Sequence, residues 1–149
     1  MMHILVIHGP NLNLLGTRET HIYGKTTLGQ INQMIEEKAK QLSCEVRIRQ
    51  SNSEGEIVSL IGESRGWADG IIINPASYTH TSIAIRDAIL AVDVPTIEVH
   101  LSNIYEREPF RQKSMIAGVC VGQISGFGPN SYLLALEAMV ETLKKESSR

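Results

Sequence analysis

Short apolar runs rich in Val and Ile alternate with helical patterns along the chain, and this alternation limits the possible folds more than any other feature. Residues 3–8 are β-branched and nearly all apolar, as a strand buried on both faces of a sheet is. Residues 69–74 and 95–100 predict two further central strands. Residues 44–50 alternate apolar and polar side chains, which indicates a strand nearer an edge, and residues 118–124 form the last predicted strand.

Apolar side chains recur at helical spacing between these runs. Helices are predicted over residues 27–43, 54–65, 81–92 and 130–145. With 149 residues the chain has the length of one domain. Five strands that alternate with helices predict a three-layer α/β domain, with a doubly wound five-stranded parallel sheet in the order 2-1-3-4-5.

Composition and charge exclude several classes of function. The net charge is −2, so neither a basic nucleic-acid footprint nor a polybasic membrane patch is present. No apolar stretch approaches the ~20 residues needed to span a bilayer, and the N-terminus lacks the features of a signal peptide. The two cysteines, Cys44 and Cys120, form no CxxC motif, which fits a reducing compartment. We therefore expect a cytoplasmic protein that binds neither nucleic acid nor membrane.

A connection of about eighteen residues follows the first predicted strand. Such connections usually have 2–6 residues, and longer ones are commonly lids or binding loops. Gly16 and Gly24 are candidate hinges, and Arg18 and Tyr23 lie between them. We expect a lid at about residues 16–25, although a tyrosine packed on the surface beside a solvated arginine would also satisfy the pattern.

Hydrogen-bonding side chains dominate the segment after the third predicted strand, residues 74–82. Thr81 or Ser82 is a plausible N-cap of the next helix, and a helix N-terminus favours anions such as carboxylates. The same side chains would equally serve only to cap the helix and turn the chain. Ligands of doubly wound sheets lie beyond the carboxyl ends of the strands, which favours a binding site here.

The fourth predicted strand carries Glu98 and His100, which project on the same face because strand side chains alternate. A carboxylate beside an imidazole fixes its tautomer and raises its basicity, although the two could also form a purely structural pair. Arg107 and Arg111 follow among acidic residues. They would form a solvated ion-pair surface, or one of them would reach the cleft to bind an anionic or polyhydroxylated substrate.

Metal and nucleotide sites are not expected. His21, His80, Glu98 and His100 could supply metal ligands, but no local spacing resembles HExxH or a Cys/His cluster. No GxGxxG follows the first predicted strand, which argues against a nicotinamide or flavin site.

Five segments together resemble the type II 3-dehydroquinate dehydratase family. They are HGPNLNLLGTRE followed by YG, then QSNSEGEI, INPASYTHTSIAIRDA, EVHLSNIYEREPFR and GFGPNSYLLAL, in order and over essentially the whole chain. The resemblance implies a flavodoxin-like fold, no metal or organic cofactor, and a homododecamer of four trimers. It also implies anti elimination of water from 3-dehydroquinate through an enolate, giving 3-dehydroshikimate in the shikimate route to aromatic amino acids.

The resemblance also implies roles for individual residues. Tyr23 resembles the general base and Arg18 its activator on the lid. His100 resembles the general acid, Glu98 the partner that orients it, and Asn11 the residue that holds a water near the enolate oxygen. The residues that resemble the substrate-binding set are Asn74, His80, Asp87, Leu101, Ser102 and Arg111.

Two positions depart from the family pattern: His8 stands where many members carry Asn, and Gln112 where many carry His. Neither has an expected chemical role. Two alternatives remain at this point. One is a non-catalytic flavodoxin-like module that binds a small acid, and the other is a lyase acting on a similar carboxylic acid.

Overall fold

A single parallel sheet of five strands forms the centre of the molecule. The computed structural model describes residues 1–17 and 19–148. The strands are β1 (Met2–His8), β2 (Cys44–Gln50), β3 (Gly70–Asn74), β4 (Thr96–His100) and β5 (Gly122–Ser125). Their order is β2-β1-β3-β4-β5, and every neighbouring pair is parallel. The predicted fold class and strand order are confirmed.

Helices cover both faces of the sheet. They are α1 (Thr20–Tyr23), α2 (Leu28–Gln41), α3 (Glu54–Glu63), α4 (Ile83–Val92) and α5 (Asn130–Ser147). One apolar layer joins α2 and α5 to alternate residues of the central strands, such as Ile4 and Ile72. The other joins α3 and α4 to the intervening ones, such as Leu5 and Ile71. Alternation along β1 and β3 thus produces two cores, one on each face.

The connection between β4 and β5 differs from the prediction. It contains three short 3-10 helices (Ile104–Glu106, Pro109–Arg111 and Ala117–Val119) and no α-helix. The expected strand at 118–124 is wrong in its first half, because β5 begins only at Gly122. The amides of Val119 and Cys120 bond to local carbonyls instead of to β4, which keeps this segment turned.

The loops after β1 and β3 approach each other closely. The amide of Gly9 donates to the carbonyl of Asn74 at 2.7 Å. A Cβ at position 9 would lie 2.6 Å from the carbonyl carbon and oxygen of Pro75, so only glycine fits there. This contact brings together the two loops on either side of the point where the strand order reverses, which is where ligands of such sheets bind.

None of the helices described here combines the length and apolar character that crossing a membrane requires.

Candidate active site

A polar cleft of about 110 Å³ opens at the carboxyl ends of β1, β3 and β4. Its position is the one that the topology predicts. The predicted site residues that line it are Asn11, Tyr23, Asn74, His80, His100, Leu101, Ser102 and Arg111. The chain therefore brings together side chains that are up to 100 residues apart in the sequence.

One side of the cleft holds an imidazole paired with a buried carboxylate. Nε2 of His100 contacts Oε2 of Glu98, whose side chain is fully buried. Ser114 Oγ donates to Oε1 of Glu98 at 2.7 Å, and Gln123 Nε2 donates to Oε2 at 2.9 Å. Burial alone would raise the pKa of Glu98, but the contacts from His100, Ser114 and Gln123 outweigh it and lower the pKa. Glu98 is therefore an anion at neutral pH.

His80 supplies a second imidazole, held in one tautomer. Its Nδ1 donates to the carbonyl of Lys113 at 2.7 Å, so Nε2 is left as an acceptor. Burial lowers the pKa of His80, the bond to Lys113 opposes this, and the positive charges of His100 and Arg111 lower it further. The ring is accordingly neutral at pH 7 and suited to accept a hydrogen bond from a hydroxyl.

The other side of the cleft holds a phenol beside a guanidinium. Tyr23 ends α1, and its hydroxyl accepts a hydrogen bond from Nη1 of Arg107 at 3.0 Å. The same nitrogen lies 3.4 Å from Ser102 Oγ, and Cζ of Arg107 lies 5.3 Å from the centre of the Tyr23 ring. Gln112 donates to the carbonyl of Arg107 at 2.9 Å and so fixes the backbone that carries this arginine.

Arg107 is the main residue that the resemblance did not assign. The residue pattern alone left open which of the two arginines enters the cleft, and the structure shows that both line it. Arg111 is held from outside by Glu108, with Nε 3.1 Å from Oε2. Arg18, the expected activator of Tyr23, lies outside the described residues.

Asp87 and the start of α4 do not contribute to the cleft of their own chain. Asp87 is exposed on α4 and is not among the residues that line the cleft. Ser82 caps α4 by accepting from the amide of Ile85 at 2.9 Å, as predicted. A 3-10 helix (Ala76–His80) lies between β3 and α4 and places its own residues, including Ser77, along the cleft. Thr81 and Ser82 are not among the residues that line it, so the expected anion site at this helix end stays a prediction.

Asn11 has a backbone conformation that most residues avoid. Its φ is 68°, in the left-handed region that asparagine tolerates better than most residues. Its amide donates to Oδ1 of Asn52 at 3.0 Å, and this bond holds the loop after β1 against the loop after β2.

In the described ranges 1–17 and 19–148, no group of three or more His, Cys, Asp or Glu side chains has the arrangement to hold a metal ion.

The fold and the cleft together define a doubly wound α/β protein with paired acid–base groups at the switch point of its sheet. Comparisons with known proteins show the family to which it belongs. The sequence profile of the family described as "Dehydroquinase class II" matches residues 2–140. The chain therefore belongs to the class II dehydroquinase family.

Close relatives are named 3-dehydroquinate dehydratase. The 3-dehydroquinate dehydratase of Dictyoglomus turgidum is 59% identical over 139 residues, which cover 93% of this chain and 96% of that protein. The 3-dehydroquinate dehydratase of Trichodesmium erythraeum is 56% identical over 144 residues, which cover 97% of this chain and 96% of that protein. The crystal structure of a type II dehydroquinase from Butyrivibrio crossotus superposes with a TM-score of 0.91 at 48% identity, covering 93% of this chain and 97% of that chain. A non-catalytic binding module is not favoured.

Proposed function

We propose that this cleft carries out the dehydration of 3-dehydroquinate to 3-dehydroshikimate, with Tyr23 as base and His100 as acid. The chain is a hydro-lyase of the class II dehydroquinase family, whose close relatives are named 3-dehydroquinate dehydratase. The observation that carries the division of roles is the 3.0 Å contact between Arg107 and Tyr23, in the same cleft as the His100–Glu98 pair.

The base side needs a phenolate. A tyrosine in water has a pKa near 10, and a cation within about 4–6 Å stabilises the phenolate form. Arg107 supplies that cation in the structure, and the proposed second cation is Arg18 on the lid. Gly16 and Gly24 bound the proposed lid at residues 16–25, and both have positive φ values, 93° and 78°. When the lid closes and water leaves, the guanidinium–phenol attraction strengthens.

The acid side must protonate the leaving hydroxyl. The Glu98 anion bonds to Nε2 of His100 and holds the ring at the cleft, where His100 is proposed to donate a proton. Glu98 is the orienting partner in this proposal and does not itself transfer a proton. Proton removal α to the ketone forms an enolate, and Asn11 is proposed to hold a water against its oxygen.

Substrate binding is proposed to involve the polar residues that surround the reacting centre. Arg111, with Nε held by Glu108, is available to pair with the substrate carboxylate. The neutral Nε2 of His80 is an acceptor for a substrate hydroxyl. The other members of the proposed set are Asn74, Leu101, Ser102 and Asp87.

Asp87 would meet the substrate only if a second copy of the chain brought it there, because it is exposed and outside its own cleft. Ile83 and Leu90 are 59% and 56% exposed on the same helix, and their spacing places them on the face that carries Asp87. Such an apolar face supports the proposed assembly, a homododecamer of four trimers. The two free cysteines, Cys44 and Cys120, support the proposed cytoplasmic location.

The proposed roles are tested by following the conjugated enone of dehydroshikimate by absorbance. Purified wild-type protein should form it, and Tyr23→Phe should bind substrate but lose nearly all turnover. Tyr78→Phe is the matched control, because its hydroxyl bonds to the carbonyl of Asn52 and does not line the cleft. Substantial turnover by Tyr23→Phe would exclude Tyr23 as the base.

Mixed assemblies test the role of Asp87. Asp87→Ala and Tyr23→Phe should each be inactive alone, whereas co-assembled chains should regain part of the activity if one copy completes the cleft of another. Co-assembly without recovery would contradict a shared site. Sedimentation analysis of the wild-type protein would establish the number of subunits.

A further inference from the structure

His8 is a fully buried histidine at the carboxyl end of β1 that the proposed elimination does not use. Both of its ring nitrogens are bonded. Nδ1 lies 2.8 Å from the hydroxyl of Tyr132 on α5, and Nε2 lies 2.8 Å from Oδ1 of Asn32 on α2. A buried imidazole is costly unless its polar atoms are bonded, so this arrangement is fixed by the protein interior.

The direction of these hydrogen bonds follows from the donors available. The Tyr132 side chain is 1% exposed, and its hydroxyl also accepts a bond from Nδ2 of Asn74 at 3.1 Å. A hydroxyl has one proton, which then goes to Nδ1 of His8. His8 consequently carries its own proton on Nε2 and donates it to Asn32. The four side chains form one chain of hydrogen bonds, in which each donates to the next from Asn74 at the cleft to Asn32 on α2.

Asn74 is the end of this chain and lines the cleft. Its Oδ1 accepts from the amide of Ala76 at 3.1 Å, and one hydrogen of Nδ2 is donated to Tyr132. Both ends of the amide group are therefore assigned, and a 180° flip would break both bonds. The second hydrogen of Nδ2 remains available as a donor to a ligand.

We propose that His8 and Tyr132 are positioning residues that hold the Asn74 amide with its N–H group toward the substrate. The proposal rests on the proposed role of Asn74 in substrate binding. A substrate that is an anion with several hydroxyl oxygens needs a donor at this point. If the Tyr132 hydroxyl were absent, only the bond from the Ala76 amide would hold this orientation. The amide would then rotate more readily and present its carbonyl oxygen, which would repel an anionic oxygen.

The expected signature of this role is weaker binding without slower chemistry. Asn74 is not at the reacting bonds in this proposal, so a misplaced amide should weaken the ground state and the transition state alike. Loss of one such buried hydrogen bond corresponds to about a tenfold effect. Tyr132→Phe should therefore raise KM about tenfold and leave kcat within about twofold. Thr96→Val, which removes a buried hydroxyl at the opposite end of β4, should lower thermal stability and leave KM unchanged.

Variants of His8 provide an independent measurement that does not depend on Tyr132→Phe folding. His8→Phe removes the acceptor for the Tyr132 proton and should raise KM to a similar extent. His8→Asn retains a polar atom close to the position of Nδ1 and should restore KM to near the wild-type value. A merely structural role would make the two substitutions differ in stability but not in KM.

Asn74→Ala separates the two ways in which the proposal can fail. If Asn74→Ala raises KM but Tyr132→Phe and His8→Phe do not, then the positioning role is overturned and substrate binding by Asn74 stands. If Asn74→Ala leaves KM unchanged, then the proposed binding role of Asn74 is itself wrong and the positioning role falls with it. Neither outcome decides whether the wild-type protein has dehydratase activity, which the enone assay measures separately.

Discussion

Acid should destabilise this fold through His8 at a pH where most carboxylates are still ionised. Burial lowers the pKa of His8 from 6.5 to about 4, although the bond to Asn32 opposes the change. In the unfolded chain the same histidine titrates near 6.5. Between these two values the unfolded chain binds more protons than the folded one. The free energy of unfolding therefore falls as the pH is lowered through this window.

The size of the effect follows from the two pKa values. With a folded pKa of about 4, His8 alone should remove about 2 kcal/mol of stability between pH 7.5 and pH 5, and about 3 kcal/mol by pH 4. Glu98 also contributes stability that is lost on acidification, because its pKa is lowered in the fold. That loss occurs below the ordinary carboxyl value, so the loss of stability at pH 5 comes mainly from histidines whose pKa is lowered in the fold. His80 is a second such histidine, and a comparison with a variant that lacks only His8 separates the two contributions.

Urea unfolding at pH 7.5 and pH 5 measures this loss directly. Trp67 is the sole tryptophan and provides a fluorescence signal. Wild type and His8→Asn should be compared at one protein concentration, because assembly affects apparent stability. The variant removes the titrating group, so its loss on acidification should be smaller than that of the wild type by about 2 kcal/mol.

Equal losses in the two proteins would refute the assignment of the acid sensitivity to His8. Nitrogen NMR of the wild-type protein gives a second measurement that needs no substitution. His8 should be neutral at pH 5, with its proton on Nε2, as the hydrogen bonds to Tyr132 and Asn32 require. An imidazolium signal for this residue at pH 5 would contradict the same reasoning.

Three further substitutions test other parts of the structure. Arg107→Lys keeps the charge but loses the planar fork that reaches the phenol and a neighbouring hydroxyl, so kcat should fall about 100-fold; a wild-type rate would mean that charge alone suffices. Ser114→Ala removes a 2.7 Å bond to Glu98, so the pKa of that carboxyl should rise and the acidic limb of the rate profile should move to higher pH; an unmoved limb would contradict this link. Gly9→Ala should lower the free energy of unfolding by about 1–3 kcal/mol, because the added methyl group overpacks the contact between the two loops. Gly62→Ala is the control, because Gly62 lies on α3 with open space around it. This control should stabilise the protein by up to about 1 kcal/mol in thermal unfolding. A Gly9→Ala protein as stable as wild type would exclude the close approach.

The sheet could be predicted because its central strands are buried on both faces. Such strands read as continuous apolar runs, and the helices between them have a clear 3.6-residue period. The strand order could be predicted because doubly wound sheets commonly adopt it, and the order in turn predicts the position of the cleft. Glu98 and His100 were predicted to share a face from strand geometry alone, and the structure confirms their contact.

The segment between β4 and β5 was less predictable for a physical reason. Its three 3-10 helices are set by local hydrogen bonds and by buried anchors such as Ile104 and Ile116, which leave no periodic pattern. Residues 118–121 read as a strand because they are apolar and small. The orientation of Arg107 depends on these turns, so sequence spacing could not show that it reaches the Tyr23 hydroxyl.

Long-range contacts also explain why the sequence could not show how Glu98 remains ionised. Its donors, His100, Ser114 and Gln123, are 2, 16 and 25 residues away and come from three different segments. Without them, burial would favour the neutral acid, and His100 would lose the anionic partner that holds its ring. On the other side of the cleft, the Arg107 guanidinium donates a hydrogen bond to the Tyr23 hydroxyl. One cleft thus holds a cation beside its proposed base and an anion beside its proposed acid, and each of these charges reaches its neighbour through a contact that sequence spacing alone could not show.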